Sequence, residues 1–509
     1  MRAKLKTVDN ITCMQKLREK LFEPVDIASL AVFRMCFGAI LFWEVWRFFD
    51  YGWIAKYYIE PTFTFKYFGF GWLEPWPGNG MYYHFIAVGL FALCVMTGFL
   101  YRLSSWLLFF GFTYWYLLDQ TRYLNHLYLT ALLAFLMALI PAHQAKSLDV
   151  RFRPGLGSET IPTWCLWLLR TQVGIVYFFA GVAKLNGDWL RGEPIRQWLA
   201  DRSDYLFIGG WLNTESAVWF FGYGGILFDL LIVPALLWRK TRVWAFAACV
   251  VFHVLNKMMY GIGIFPTLML AATLLMFPAD WPRKLLLFFK PLPKTSTSQT
   301  SQEDKVSGLT TNPKLTFDQD QTTTRTSHRV SMSESRTDTQ GRAPTEWRKY
   351  LVMLFVGMYL ALQLFMPLRH FLYPGTVHWT EEGHRFSWHM KLRQKRGDVR
   401  FYAMDPATGK TWRLPHSEHL SAEQSSQVGR WPDMCIQFAH FLSNELKKEG
   451  PDDIEIRAIT STSLNGRTYQ DLVDPDTDLT KESRNLWHAD WIVPLYHPLP
   501  APRSESPND

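Results

Sequence analysis

Several polar groups in this sequence stand inside or at the ends of long apolar runs, where a polar side chain is costly enough to be informative. The run from Thr163 to Lys184 is apolar apart from Arg170, Thr171 and Gln172, and its last turns read "VYFFAGVAK", ending on a primary amine. Burial disfavours the charged form of a lysine, so Lys184 in an apolar surround suits a base; a lysine snorkelling to the interface or pairing with Asp188 is the alternative. His253, Asn256 and Lys257 lie at i, i+3 and i+4, on one face of a second run, and Asn125 and His126 open a third. Interfacial placement, or hydrogen bonds to neighbouring helices, equally accounts for these histidines. His370, His378, His384 and His389 follow one another closely, but their intervals match no recognised ligand spacing, so no metal is expected.

The elements that must position these groups are membrane spans. The hydrophobic content of 49% comes in blocks rather than evenly, and a crossing helix needs roughly 20 apolar residues. The blocks predict nine spans: 27–49, 83–100, 103–118, 124–140, 163–184, 216–238, 243–260, 262–277 and 350–367. The segments assigned to one side, including the N-terminus, the Arg239-Lys240-Thr241-Arg242 turn and the stretch after Arg283, are all basic. By the positive-inside tendency that side is cytoplasmic, and the net charge of +8 reflects topology rather than nucleic-acid binding. The first apolar run is full length and lacks a small-residue cleavage site, which reads as an uncleaved span. In this topology Asn125, His126, Lys184, His253 and Asn256 gather towards the outer membrane face.

Four regions follow: an eight-span bundle over 1–289 with an aromatic outer loop over 50–82 of interfacial type, a polar Ser/Thr-rich cytoplasmic linker over 290–345 that reads as disordered, a ninth span over 346–370, and an outer domain over 371–509. In the outer domain "GDVRFYAMDPATGKTWRL" predicts two strands around a turn, "DMCIQFAHFLSNELKK" an amphipathic helix, and "DIEIRAITSTSL" a strand. The fold class is thus a polytopic α-helical membrane protein with a C-terminal α+β, β-rich extracytoplasmic domain. Of six cysteines only Cys435 lies in that domain, so no disulfide framework is expected. Hydrolase, Walker-loop, HExxH and paired-cysteine motifs do not occur.

The stretch "VYFFAGVAKLNGDWL" resembles the segment that carries the catalytic lysine in vitamin K-dependent γ-glutamyl carboxylases. "YIEPTFTFKYF", "YLNHLYLTALLAF", "GYGGILFDL", "FHVLNKMMYGIGIFPTLMLA", "HWTEEGHRFSWHM", "RWPDMCIQFAHFLS" and "ADWIVPLYHPLP" resemble further family segments in the same order. The resemblance implies Lys184 as base, with His126 and Asn125 supporting it. His253 and His370 match further family histidines, and the Trp379 to Met390 stretch matches a region connected with the glutamate substrate. His253, Asn256 and Tyr177 are accordingly expected as quinol contacts, and His370, Trp379, Trp388 and Met390 as contacts of the glutamate substrate. Gly383 and His389 depart from the leucine and the acidic residue expected in animal members. The absence of their cysteine pairing and of a long C-terminal extension points to a bacterial inner membrane, with the endoplasmic reticulum expected for a eukaryotic chain.

The activity so implied is carboxylation of peptidyl glutamate with reduced vitamin K, O2 and CO2. The quinol and O2 generate an alkoxide that removes the γ-proton, the carbanion captures CO2, and the quinone leaves as its epoxide. The bilayer, the quinol and a glutamate-containing protein or peptide are the expected partners. A quinol epoxidase or oxidase without peptide carboxylation, and a non-catalytic lipid- or quinone-binding module, are the alternatives.

Overall fold

In the computed structural model, residues 13–202, 204, 209–289, 345–448 and 453–500 are described. The predicted linker lies outside them but for its last residue. A short antiparallel pair, β1 (Pro24–Asp26) with β2 (Thr160–Pro162), ties the start of the first long helix to the start of the fifth. The long helices are α1 (Ala28–Asp50), α2 (Gly80–Thr97), α3 (Tyr101–Leu117), α4 (Asn125–Leu139), α5 (Thr163–Ala183), α6 (Glu215–Leu237), α7 (Arg242–Tyr260), α8 (Phe265–Thr273) and α9 (Glu346–Leu368).

All nine apolar blocks are helical over most of their length, but nine membrane crossings do not follow. Six helices, α1, α2, α5, α6, α7 and α9, are long and apolar enough to cross a bilayer. The other three are short. Helix α4 has 15 residues and α8, with the 3₁₀ turn Leu274–Met276 behind it, ends after 12; α3 has 17. At about 1.5 Å per residue, the 15-residue helix reaches roughly 22 Å against a hydrocarbon core of about 30 Å. The chain is an integral membrane protein whose short helices sit among full-length ones.

Packing is close where small residues meet. A Cβ on Gly38 of α1 would stand 2.6 Å from the Ala92 carbonyl of α2, so only glycine allows this crossing. The buried Arg34 guanidinium beneath it donates to the carbonyls of Ala142 and Lys146, which satisfies a charge that a membrane core would otherwise penalise.

The second body is a three-stranded antiparallel sheet in the order β4 (Thr411–Leu414), β3 (Lys395–Met404), β5 (Glu455–Leu464), covered by α10 (Pro432–Leu446). Alternating residues Val399, Phe401, Ala403 and Ile456, Ala458 turn inward against Met434, Ile436 and Phe438 of the helix. Residues of the 50–82 loop reach into this core rather than lying on an interface: Phe65 is fully buried there and Phe63 packs on Phe441, ring centroids 4.6 Å apart. Cys435 is a free buried thiol that donates to the Val428 carbonyl.

Candidate active site

Lys184 caps the C-terminal end of α5, where the helix leaves the apolar core. Its ammonium is neither isolated nor turned to water. It donates to the Asp229 carboxylate of α6 at 2.5 Å and to the Ala180 carbonyl at 3.1 Å, and it lies 5.5 Å from the Trp189 ring centre. The buried lysine is thus paired with a carboxylate, supplied by the neighbouring helix rather than by Asp188. Gly225, one turn before Asp229, faces the lysine stem, where a Cβ would meet Lys184 Cε in ordinary van der Waals contact at 3.7 Å. Asp188, the other carboxylate near in sequence, points away. It accepts from Arg467 and Asn465 of the outer domain at 2.7 Å, and these bonds hold it below the usual carboxylate range although burial alone would raise it.

Beside this pair lies a cavity of about 140 Å³ walled mostly by apolar and aromatic side chains. Lys184, Tyr177, His253, Asn256 and Met390 all line it, drawn from α5, α7 and the segment that follows α9. Tyr177 Oη and His253 Nε2 stand 2.7 Å apart, while His253 Nδ1 is buried with no partner among the described residues. The Asn256 amide donates back to the Phe252 carbonyl, which leaves its oxygen free to accept from a ligand. An apolar cavity with a few convergent polar groups suits a flat, hydrophobic molecule that carries two polar oxygens.

His126 and Asn125 do not line the cavity. His126 is buried one ring away, 5.9 Å from Phe265, which does line it. Asn125 donates to the His389 carbonyl at 3.1 Å, and the neighbouring Tyr123 hydroxyl accepts from the Phe386 amide at 2.6 Å. The start of α4 thereby clamps the segment that brings Met390 to the cavity. Trp379 and Trp388 are each 1% exposed: Trp379 donates to the Val493 carbonyl inside the outer domain, and Trp388 stacks on Tyr128 within the bundle. Both tryptophans are core residues in this conformation.

His370, His378 and His384 surround His389, with ring centres 4.9, 5.3 and 5.4 Å from it. Among the described residues no group of three or more His, Cys, Asp or Glu is arranged to hold a metal ion. Burial first, and then the charge of Arg393, pushes the His378 imidazole down to about 3 and keeps it neutral. His370, His378 and His389 line a second cavity, of about 330 Å³, on the far side of the Ala183–Asn186 turn from the first. Gly383 fits this packing: its φ is +73°, and a Cβ would stand 2.7 Å from His370 Cα, so the leucine of animal members has no room here.

A family model for the HTTM domain matches residues 22–281, just over half of the 509-residue chain. A second, for the lumenal domain of vitamin K-dependent gamma-carboxylase, matches residues 348–498. The chain belongs to the vitamin K-dependent γ-carboxylase family. No solved structure matches it. In carboxylase terms, the first match holds the Lys184 cavity apart from Met390 and Lys391, and the second holds the segment that closes it and a domain that is not cytoplasmic.

Two residues of this arrangement, Asp229 and Lys391, were not singled out in the sequence. Asp229 carried a readable signal, since it is the one formal charge between Glu215 and the Arg239 turn. Lys391 did not, because it opens the basic run "KLRQKR", which reads as a solvated surface.

Proposed function

We propose that the protein is an integral-membrane γ-glutamyl carboxylase that uses reduced vitamin K, O2 and CO2 to convert peptidyl glutamate to γ-carboxyglutamate with formation of the quinone epoxide. The observation that carries this reading is the convergence of Lys184, paired with Asp229, and of Tyr177, His253 and Asn256 on one apolar cavity. The residues fit a quinol: an aromatic wall for its ring, a prenyl-compatible apolar lining, and two residues with polar capacity for its hydroxyls, His253 with its buried Nδ1 unpartnered and Asn256 with its amide nitrogen already bonded to Phe252. Bound there, reduced vitamin K supplies with O2 a base strong enough for the glutamate γ-proton, which no side chain can provide.

The chain's own residues then have separate tasks. Lys184 takes a proton from a quinol hydroxyl after its ammonium has handed one to Asp229 along their 2.5 Å hydrogen bond. His253 and Asn256 orient the ring, and Tyr177 fixes the His253 imidazole. The apolar wall excludes water that would protonate the carbanion. Asn125, and His126 behind Phe265, support the walls rather than touch the reactants. The basic segments support a cytoplasmic N-terminus, with the outer domain on the other side, where the peptide arrives; a bacterial inner membrane suits this orientation.

Incubation of the solubilised protein with reduced vitamin K, O2, labelled CO2 and a glutamyl peptide tests the reading. Epoxide together with fixed label supports it. Epoxide without label leaves a quinol epoxidase, and neither product leaves a quinone- or lipid-binding module.

A further inference from the structure

Among the described residues, three that line the Lys184 cavity carry formal charge. Lys184 and Asp229 cancel one another at 2.5 Å. The third is Lys391, whose ammonium stands 5.3 Å from the Tyr260 ring centre at the mouth of the cavity. None of the ion pairs of the described residues includes Lys391, an exposed residue of the cavity wall, so the cavity carries one unmatched positive charge on its exposed side.

That placement is held by the fold rather than left to a loose side chain. Trp388 and Lys391 adopt φ of +59° and +50°, a conformation that costs a non-glycine residue roughly 1 kcal/mol or more and persists where the surroundings impose it. The surroundings are identifiable. Asn125 holds the His389 carbonyl, Trp388 is stacked on Tyr128, and Leu392 is buried with Trp189, Ile195 and Leu199 of the cavity's own wall. The backbone on both sides of Lys391 is therefore anchored, one side to α4 and the other to the segment after Lys184.

We propose that Lys391 binds the γ-carboxylate of the glutamyl substrate at the mouth of the cavity and selects glutamate over its uncharged analogues. This rests on the carboxylase reading above. The chemistry favours a cation at this point twice. An anionic side chain must approach an apolar cavity, and one unpaired ammonium offsets the loss of its hydration. Removal of the γ-proton, which passes to the quinol-derived base, leaves the electron pair on the carbon next to that carboxylate and deepens its negative charge, so the same contact strengthens as the reaction proceeds.

The full-length, solubilised chain is titrated without quinol with two peptides that differ only in Glu against Gln. The wild type is expected to bind the glutamyl peptide about tenfold or more tightly than the glutaminyl one. K391M is expected to lose that preference and to fix fewer CO2 per epoxide formed, with a raised KM for the glutamyl peptide, while K391R keeps most of it. An unchanged Glu/Gln preference in K391M overturns the proposal and assigns the lysine to lipid headgroups. Equal impairment of K391M and K391R, with a lowered Tm in both, overturns it in favour of a structural lysine. A wild type that binds the glutamyl peptide selectively but fixes no CO2 keeps the contact and defeats the carboxylase reading instead.

Discussion

Two buried ion clusters in this protein have the same ingredients, and each lies beside a cavity, about 140 Å³ at Lys184 and about 540 Å³ at Glu381, but they differ in how far their groups are satisfied. At the end of α5, one lysine meets one carboxylate beside a cavity. In the outer domain Glu381 accepts from Arg393 at 2.6 Å and from Lys395 at 3.2 Å, and Lys395 also donates to the Trp379 carbonyl. Both clusters are nearly dry, with side-chain exposures of 9% and 5% for Lys184 and Asp229, and of 3% for both Glu381 and Lys395. The difference lies in what remains unsatisfied. Glu381 has spent its oxygens on two cations and fixes a turn at φ +65°, so it holds structure. Lys184 retains bonding capacity next to space that a ligand can fill, so its pair is available for chemistry.

The largest break in that comparison is at Lys184. K184M is expected to lower both epoxide and carboxylated product by about 10³-fold, within the range that one proton-transfer group supplies. It should also destabilise the protein by about 3 kcal/mol, because Asp229 is left buried and unpaired. The double variant K184M/D229L separates the effects: Tm returns, activity does not. Recovery of activity along with Tm would mean that the pair only holds α5 to α6.

At Glu381 the ordering of effects reverses. E381Q leaves Arg393 and Lys395 buried without a counter-charge, and a loss of about 3–5 kcal/mol in chemical denaturation is expected. The activity that remains in folded protein should be close to that of the wild type. A large activity loss with unchanged stability would place Glu381 in the reaction rather than in the scaffold.

The histidine cluster beside it gives a smaller, pH-dependent effect. Burial first, and then Arg393 and neighbouring imidazoles, holds His378 down to about 3 and His384 and His389 well below the ordinary value. Between those folded values and the unfolded value of about 6.5, the unfolded chain binds more protons. Stability is therefore intact above pH 6.5 and falls as pH drops below it, by at most about 1.4 kcal/mol per pH unit for each histidine. Thermal melts between pH 7.5 and 5 should show this slope, and His378→Asn should flatten it.

How much of this was legible depends on the range over which the signal acts. The apolar runs mark the helices because a span is a local property, and alternation in "DIEIRAITSTSL" marks β5 for the same reason. Lys184, His253 and Asn256 were legible because a polar group within an apolar run stands out without any partner. Their partners were not. Asp229 is 45 residues from Lys184, and nothing local says that α6 lies against α5. The three histidines around His389 come from a 3₁₀ turn, a one-turn helix and a turn, so no periodicity announces them. Six of the nine apolar blocks form helices long enough to cross, while hydropathy reports only that a segment is apolar and the ends of α4 and α8 are fixed by Leu124, Ile140 and Met276.

The finest test of the comparison lies about two turns before Lys184. Tyr177 and His253 form a neutral hydrogen bond of 2.7 Å across α5 and α7, with both rings on the cavity wall. If the Lys184 cavity is built for a ligand, while the saturated Glu381 cluster holds structure, this bond serves to hold one imidazole orientation toward the quinol. Y177F keeps the ring and removes the bond, at a cost of about 1 kcal/mol in stability. The KM for reduced vitamin K is expected to rise several-fold with little change in kcat, because the imidazole gains rotational freedom while Lys184 and Asp229 are untouched. A fall in kcat at constant KM would instead put the Tyr177 hydroxyl in the proton path itself, as a relay between His253 and the reacting oxygen.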